Sequence, residues 1–407
     1  CFLIERGASA FLTVGPAALA LCRELGLGDD VTPPLEPGGT FVWHDDRLVP
    51  VPDGIGLGIP TRFTPFLASR LFSPLAKLRA AIEIVIPPDP SAGDVSIGAF
   101  LRRRFGGAVV DRLAGPLISG VYGAAIDELS LDALMPRLRE AEQRYRSLVR
   151  AGLAARGRGP AGPLLVTLRR GMGSLIDALA ARLARVDMRL GVDLRWVERA
   201  GPGYATHLGD GSRVVADAVV LATPAPAAAR ALADLAPAAA DALAPITYRG
   251  TAAVSLAYDA RQLAGPLSGH GFVVPDGALA IAACTWSSAK WPERAPQGTV
   301  LVRATVRSDA LLAQGDDALV DAAHGALVRA MCIQGRPVLA RVARWDGAMP
   351  RYTVGHLDRL ARIGAALLPF PGIVLAGAAY RGAGVPDCIA QGQAAAETIL
   401  AAEAVGT

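Results

Sequence analysis

The sequence contains little lysine, few aromatic residues and no strong excess of charge. Only Lys77 and Lys290 are lysines among 41 lysine and arginine residues, aromatic residues make up 5% of the chain, and the formal net charge is +4. No dense basic segment with interleaved aromatics is present, which argues against a nucleic-acid-binding protein. A mildly basic surface still suits a small polyanionic substrate.

Cysteines are also few and are scattered along the chain. They form no C-x-x-C pair, which argues against a zinc or iron–sulfur site, so we predict no metal centre. Free thiols indicate a reducing compartment. No apolar run reaches the ~18 residues of a membrane span. Together these absences predict a cytoplasmic protein that is soluble or only weakly peripheral to the membrane.

Length and hydrophobic periodicity predict a large α/β protein. The 407 residues are enough for two or three domains. Residues 61–162 show helical periodicity, with N-caps at Ser73 and Ser96, and from residue 171 onward strands alternate with helices. Residues 1–5 and 187–190 are among the predicted strands. This order indicates an α/β fold with an inserted helical domain.

A glycine-rich segment near the carboxyl end carries the clearest local signal. Residues 373–376 form a short apolar run typical of a core strand, and Gly377, Gly382 and Gly384 then permit positive φ and close approach to a ligand. Pro386 suits the first turn of a following helix, whose free N–H groups favour an anion or an electron-rich oxygen. The segment predicts a turn that cradles a ligand. The same pattern also closes many α/β units that bind nothing there.

Nine segments, in order along the chain, resemble the oxygen-dependent porphyrinogen oxidases of haem biosynthesis, the protoporphyrinogen and coproporphyrinogen III oxidase family. They are residues 2–7, 19–27, 58–61, 71–80, 100–106, 116–122, 127–131, 344–345 with 352–356, and 379–382 with 387–389. The resemblance implies a monoamine-oxidase-like fold and FAD as the cofactor. It also implies oxidation of a porphyrinogen with O2 as the acceptor and H2O2 as the product.

The resemblance further implies a flavin-binding Rossmann-like domain, a mixed-sheet substrate domain and a helical domain. We predict that residues 1–33, 164–235 and 370–407 form the first, 34–60 and 236–369 the second, and 61–163 the third. The G-x-G-x-x-G turn that opens such a flavin domain is not found in the sequence. We therefore expect the flavin domain to be incomplete at the N-terminus, lacking a βαβ element of roughly 30 residues or more. Whether the remaining chain binds FAD is open at this point.

The family's cofactor contacts fall on nine positions of this sequence: Gly7, Ala8, Ser9, Ala10, Leu194, Trp345, Ala383, Gly384 and Val385. The first four match the loop that passes the flavin, and the last three match the turn that holds the flavin and its ribityl chain. The leucine matches the residue whose backbone meets the adenine, and the tryptophan matches one near the cofactor. Small side chains in the loop and the turn give backbone N–H groups access to flavin oxygens.

The reaction implied by the resemblance removes six electrons in three rounds. Because the flavin makes and breaks the bonds, we predict no catalytic side chain. Arg62 is the preferred partner of a substrate propionate, since arginine binds carboxylates bidentately; the alternative is a solvated loop arginine. Phe272 is a candidate wall of the apolar substrate slot, with ordinary sheet core as the alternative. The expected partners are the porphyrinogen and O2, with hand-over of the product to a ferrochelatase.

Several alternatives stay open at the level of sequence. His356 is a structural histidine or a catalytic base, and Cys388 is a small buried residue or a thiol activated at a helix start. The stretch 63–86 is a core helix or an interfacial one. The arginine-rich balance favours coproporphyrinogen over protoporphyrinogen. The rival functions are another flavin oxidase of the same fold, such as an amine oxidase, and a non-catalytic porphyrin-binding fragment.

Overall fold

Strands and helices alternate through a mixed α/β architecture. The computed structural model describes residues 1–35, 38–52, 55–56, 59–60, 63–90, 93–155 and 162–406. The strands are β1 (Phe11–Leu12), β2 (Val31–Thr32), β3 (Thr40–His44), β4 (Arg47–Pro50), β5 (Ile55–Gly56), β6 (Ile59–Pro60), β7 (Leu165–Leu168), β8 (Leu194–Ala200), β9 (Gly203–Leu208), β10 (Arg213–Ala216), β11 (Val219–Leu221), β12 (Tyr248–Asp259), β13 (Gly271–Val273), β14 (Ala283–Thr285), β15 (Thr299–Val306), β16 (Leu339–Pro350) and β17 (Ile373–Leu375).

Helices surround these strands and also make up most of residues 63–154. They are α1 (Ala17–Glu24), α2 (Phe63–Ala68), α3 (Pro74–Ala81), α4 (Ile97–Phe105), α5 (Gly107–Val109), α6 (Gly115–Tyr122), α7 (Leu131–Leu134), α8 (Pro136–Tyr145), α9 (Leu148–Ala154), α10 (Gly173–Arg182), α11 (Ala225–Leu232), α12 (Pro237–Leu243), α13 (Ser287–Lys290), α14 (Asp309–Leu312), α15 (Asp316–Met331), α16 (His356–Leu367) and α17 (Val385–Gly406). Within the described part of the chain, no helix combines the length and the apolar character needed to cross a bilayer.

The largest sheet has the strand order β16-β12-β15-β14-β13-β3-β4. Its neighbours pair antiparallel except β13 and β3, which are parallel. One face of the central strands carries buried apolar side chains, including Val254, Leu256, Val302 and Ala304, and α15 packs against it. Because side chains alternate along a strand, the intervening residues point to the opposite face, where a cavity lies.

The predicted caps of the helical region are confirmed. Ser73 Oγ accepts a hydrogen bond from the backbone N–H of Ala76 at 3.3 Å, and Ser96 Oγ accepts one from that of Ala99 at 3.1 Å. These hydroxyls satisfy N–H groups that a helix start leaves unpaired. The two caps fix where α3 and α4 begin.

A buried ionic network joins these helices. Arg104 on α4 is fully buried and lies 2.8 Å from Glu83 Oε1, with Glu142 of α8 as a second carboxylate at 3.5 Å. Arg104 also donates to the carbonyls of Ile86 and Arg146. Glu83 in turn accepts hydrogen bonds from Ser147 Oγ at 2.5 Å and from a backbone N–H of α9 at 2.8 Å. Such a network tolerates burial only while its charges remain paired.

Two strand predictions are wrong. Residues 1–5 and 187–190 adopt no regular strand, and none of the described strands pairs with them. A segment without a pairing partner cannot satisfy its backbone groups as a strand. The final predicted strand, β17, does form and pairs in parallel with β11.

The helix α3 does not follow the core interpretation, one of the two that the sequence left open for residues 63–86. Leu75, Leu78, Ile82 and Val85 are 45–76% exposed and follow one another at spacings of three and four residues. These spacings place them on one face of α3 and the 3₁₀ turn that follows it. The opposite face carries the buried Glu83. The helix therefore presents an apolar stripe to solvent.

Candidate functional site

A cavity of about 410 Å³ lies between the N-terminal loop and the large sheet. One wall consists of Gly7, Ala8, Ser9 and Ala10, and a second is the C-terminal end of α6. The floor comes from β12 and β15, which expose alternate residues to it. Pockets of several hundred Å³ with convergent polar groups are typical ligand sites.

Four cationic side chains line this cavity: Arg249, Lys290, Arg303 and Arg307. Among the described residues that line it, none is a carboxylate. Arg307 donates to the backbone carbonyls of Ser119 at 2.5 Å and Gly120 at 2.6 Å, which ties the sheet to α6. Burial, with repulsion from Arg249, lowers the pKa of Arg307 to about 10. The cavity is therefore built to receive an anion.

Strand geometry explains how these cations meet. Arg303 and Thr305 are two residues apart on β15 and Arg307 directly follows the strand, so all three lie on one face. Arg249 lies beside a register shift in the pairing of β12 with β16. Irregularities of this kind re-aim side chains near functional sites. Lys290 lies in the loop 286–291, for which the sequence left open a place at the rim of the active site or an ordinary surface turn. The three arginines were not predicted, although arginine inside an otherwise apolar strand is a signal for such a site.

The structure brings together the predicted N-terminal loop and Trp345. A Cβ placed on Gly7 would lie 3.4 Å from the indole of Trp345, whose Nε1–H donates to the carbonyl of Arg6 at 2.6 Å. Thr167 Oγ1 donates to the carbonyl of Ser9 at 2.9 Å. The loop is thus held from both sides. Its small residues leave the cavity open where larger side chains would fill it.

The predicted glycine turn follows β17. Gly382 has φ +111°, and a Cβ there would lie 2.5 Å from the carboxyl of Asp387, so only glycine fits without strain. The hydroxyl of Tyr352 accepts from the N–H of Gly382 and donates to the carbonyl of Ala378, both at 2.8 Å. The N–H of Gly384 donates to Asp387 at 3.1 Å. The start of α17 thus already binds an anion, which is the carboxylate of its own Asp387.

His356 and Cys388 have structural surroundings. His356 is fully buried, begins α16, stacks on Tyr352 and has Nε2 3.1 Å from the carbonyl of Tyr380. Burial lowers the pKa of His356, which favours its neutral form. Burial raises the pKa of the Cys388 thiol, and the neighbouring Asp387 adds to this effect. Neither group is placed as an activated base or nucleophile.

Other predicted residues lie elsewhere. Phe272 is 1% exposed and packs in the core with Trp286, so its assignment to the substrate slot needs correction. The reason is register: Gly271 pairs with Thr285, which faces the cavity, whereas Phe272 belongs to the opposite face. Leu194 lies at the start of β8 and packs against the core beneath α11. Arg62 lies outside the residues that the structure describes.

The small residues of the N-terminal loop fit a flavin, and Arg303 offers a donor to a second, anionic ligand beside it. Four consecutive small residues form a wall of the cavity, and Arg303 keeps a buried Nε–H that has no hydrogen-bond partner in the described structure. A buried donor of this kind is costly unless a ligand oxygen or nitrogen accepts from it. Gly7 to Ala10 would hold the ring system through their backbone, with Trp345 behind the loop. The assignment of these contacts, and of the turn at Ala383 to Val385, remains a proposal.

Comparison with known proteins identifies the family. Residues 2–400 match the model of the flavin containing amine oxidoreductases. The coproporphyrinogen III oxidase of Propionibacterium freudenreichii is 37% identical, over 100% of this chain and 83% of that protein. The coproporphyrinogen III oxidase of Bacillus subtilis is 34% identical, over 98% of this chain and 87% of that protein.

Solved structures agree with the sequence relatives. A candidate protoporphyrinogen oxidase from Exiguobacterium sp. 255-15 superimposes with a TM-score of 0.87 at 32% identity, covering 98% of this chain and 88% of that one. Cyclohexylamine oxidase from Brevibacterium oxydans shares the fold, with a TM-score of 0.67 at 18% identity, over 99% of this chain and 88% of that one. The chain belongs to the family of flavin-containing amine oxidoreductases, and its relatives there include the coproporphyrinogen III oxidases.

Proposed function

We propose that this protein oxidises coproporphyrinogen III to coproporphyrin III, with FAD as the cofactor, O2 as the electron acceptor and H2O2 as the product. Its similarity to proteins named coproporphyrinogen III oxidase supports a porphyrinogen as the substrate. The observation that carries the choice of substrate is the cavity with four cations and no described carboxylate. Coproporphyrinogen carries four propionates, whereas protoporphyrinogen carries two, with vinyl groups in place of the others.

The side chains of this site bind the substrate and orient it. Arg249, Arg303 and Arg307 receive propionates, because guanidinium groups bind carboxylates through paired hydrogen bonds. The apolar atoms of Val121 and Met349 contact the tetrapyrrole and exclude water. FAD bound beside Gly7 to Ala10 would supply the hydride acceptor for a methylene bridge of the substrate and the route by which electrons reach O2. The protein supplies position, charge and a restricted space.

The charge of the cavity separates this function from its rivals. An amine oxidase of the same fold receives a cationic or neutral amine, and the three arginines of this cavity repel an ammonium group. A non-catalytic porphyrin binder has no need of a small-residue wall that leaves space for a flavin. Both alternatives therefore fit the cavity less well than porphyrinogen oxidation.

Porphyrin fluorescence tests the proposal. The purified protein, loaded with FAD, is given coproporphyrinogen III in air while fluorescence, O2 uptake and peroxide are recorded. We expect fluorescence to rise with about three O2 consumed for each porphyrin, because each round removes two electrons. A protein that oxidises putrescine or cyclohexylamine but not the porphyrinogen would instead be an amine oxidase.

The exposed stripe of α3 supports a second, peripheral property. Leu75, Leu78, Ile82 and Val85 form an apolar face on a segment whose charged residues outside the buried Glu83 are all basic. An apolar face flanked by cations suits the surface of an anionic bilayer. We propose a cytoplasmic protein that touches the membrane through this stripe. The three-domain division and hand-over of the product to a ferrochelatase likewise remain predictions.

Vesicle sedimentation tests the membrane contact. We expect the wild type to sediment with phosphatidylglycerol vesicles and the double variant Leu78→Glu with Val85→Glu to stay in the supernatant, because each carboxylate opposes insertion of the stripe. Leu357→Glu, which alters an exposed leucine on α16, serves as the matched control and should sediment as the wild type does. A wild-type protein that does not sediment with the vesicles would contradict the proposed membrane contact.

A further inference from the structure

Lys290 is chemically distinct from the other cations of the cavity. The chain contains 41 lysine and arginine residues, of which only Lys77 and Lys290 are lysines, and one of the two lies in this cavity. Arginine stays protonated in proteins, whereas an ammonium group can give up its proton when its surroundings disfavour charge. If positive charge alone were needed here, a fourth arginine would serve equally well.

The position of Lys290 is fixed by its backbone. Its N–H donates to the carbonyl of Trp286 at 2.9 Å, and its own carbonyl accepts from the N–H of Leu35 at 2.9 Å. The short helix α13 packs on β15, where the N–H of Leu301 donates to Ser288 Oγ at 3.0 Å. The ammonium lies 5.1 Å from the centroid of the Trp291 ring. The residue is therefore anchored through its backbone, and it contributes to the lining of the cavity.

Nothing in the described surroundings pairs with this ammonium as an ion pair. The elements packed against α13 contribute Arg303 from β15, Glu5 from the N-terminal segment and His270 from the loop before β13. Glu5 is engaged elsewhere, since its Oε1 accepts from the N–H of Met172 at 2.8 Å. Arg249 and Arg307 also line the cavity, and no described carboxylate lines it to pair with the ammonium.

We propose that Lys290 is the proton acceptor in the oxidation of the tetrapyrrole, an inference that rests on the proposed function. Loss of a hydride from a methylene bridge to the oxidised flavin leaves the adjoining pyrrole electron-poor and its N–H acidic. The N–H bond then breaks, its electron pair remains on the ring nitrogen as a C=N bond forms, and the proton moves to Nζ of neutral Lys290. One hydride and one proton leave in each round, which balances a two-electron oxidation. Over the three rounds, one further proton shifts from the remaining methylene bridge to a ring nitrogen, which gives the four methine bridges and two N–H groups of the porphyrin.

The protonation equilibrium of Lys290 agrees with this role. Burial lowers the pKa of Lys290 to about 8. A base with a pKa near the working pH is present in its neutral form in a useful fraction and still binds the proton well. The neutral form increases as pH rises through this pKa, so kcat should rise with pH and then level off.

Substitution of Lys290 by arginine distinguishes a role in proton transfer from a role as a positive charge. Lys290→Arg keeps the positive charge, and Lys290→Met removes it. We expect both to lower kcat at least about 100-fold, with KM for coproporphyrinogen III nearly unchanged in Lys290→Arg. The rising limb of the pH profile should disappear in both. Lys77→Arg, on α3, is the matched control and should retain the wild-type kcat.

A second measurement does not depend on activity. Protein labelled with ¹³Cε-lysine gives two lysine signals, and Lys77→Arg removes one of them, which assigns the other to Lys290. We expect the Lys290 signal to titrate near pH 8 in the flavin-loaded wild type. Titration near the ordinary value of about 10.4 would overturn the proposal, as would a Lys290→Arg variant with wild-type kcat. If the wild type leaves coproporphyrinogen III unoxidised, the proposed function fails first, a result distinguishable from either of these.

Discussion

Replacing Arg303 with methionine should reduce kcat/KM for coproporphyrinogen III at least about 30-fold, the equivalent of about 2 kcal/mol. Arg303 points from β15 into the cavity and has a buried Nε–H without a partner in the described structure. A substrate carboxylate is the group that would satisfy it. Removing the guanidinium leaves that carboxylate unpaired in a partly dry site, which is the source of the loss. Steady-state kinetics followed by porphyrin fluorescence measure the effect.

The matched control for Arg303→Met is Arg341→Met. Arg341 is exposed on β16 and donates only to a neighbouring carbonyl in the described structure, so its loss should leave kcat/KM unchanged. Flavin content and product binding are compared in both variants to exclude a general defect. Equal kinetics for Arg303→Met and the wild type would show that the cations of β15 take no part in substrate binding.

Replacing Arg104 with methionine should lower the free energy of unfolding by about 3–5 kcal/mol. The guanidinium is fully buried and contacts both Glu83 and Glu142, together with backbone carbonyls of two separate segments. Methionine fills a similar volume but leaves two buried carboxylates with less compensation. Urea unfolding followed by circular dichroism, with thermal unfolding as a second measure, records the loss.

The control for this prediction lies on the same helix as Glu142. Glu140→Gln alters an exposed carboxylate of α8 and should change stability by no more than about 0.5 kcal/mol. An Arg104→Met variant as stable as the control would mean that the network is not needed to hold α4 against α8 and α9. Flavin content should fall in Arg104→Met only as far as unfolding proceeds.

Features that depend on nearby residues could be predicted from the sequence. The caps at Ser73 and Ser96 follow from a hydroxyl placed before an apolar periodic run, and both form. The turn at Gly382 follows from glycine spacing after a core strand, and it also forms. In each case the physical cause acts within a few residues, so the sequence contains it directly.

Features that depend on strand register could not be predicted in the same way. Arg249, Lys290 and Arg303 are far apart in sequence and converge only because β12, β15 and α13 pack together. Phe272 illustrates the same limit, since a shift of one residue along β13 exchanges the cavity face for the core face. Without the pairing partner, an apolar strand does not reveal which of its faces meets the ligand.

The exposed apolar stripe of α3 is another feature that the hydrophobic pattern of the sequence does not predict. Residues 74–85 carry three charged and several apolar side chains, a pattern that predicts burial of the apolar ones, yet here Glu83 is buried and Leu75 is 76% exposed. The buried partner Arg104 reverses the usual preference, because a paired carboxylate can occupy the core while leucines remain outside. The pair that accompanies this orientation joins Glu83 and Arg104, which are 21 residues apart in sequence.

The most direct test is the ratio of kcat/KM for coproporphyrinogen III to that for protoporphyrinogen IX, measured on the intact, FAD-loaded protein. The cationic cavity predicts a ratio above about 10, since two additional propionates gain charge-assisted contacts that vinyl groups cannot make. The ratio should fall towards one in Arg303→Met. Equal or faster turnover of protoporphyrinogen IX by the wild type would contradict the account.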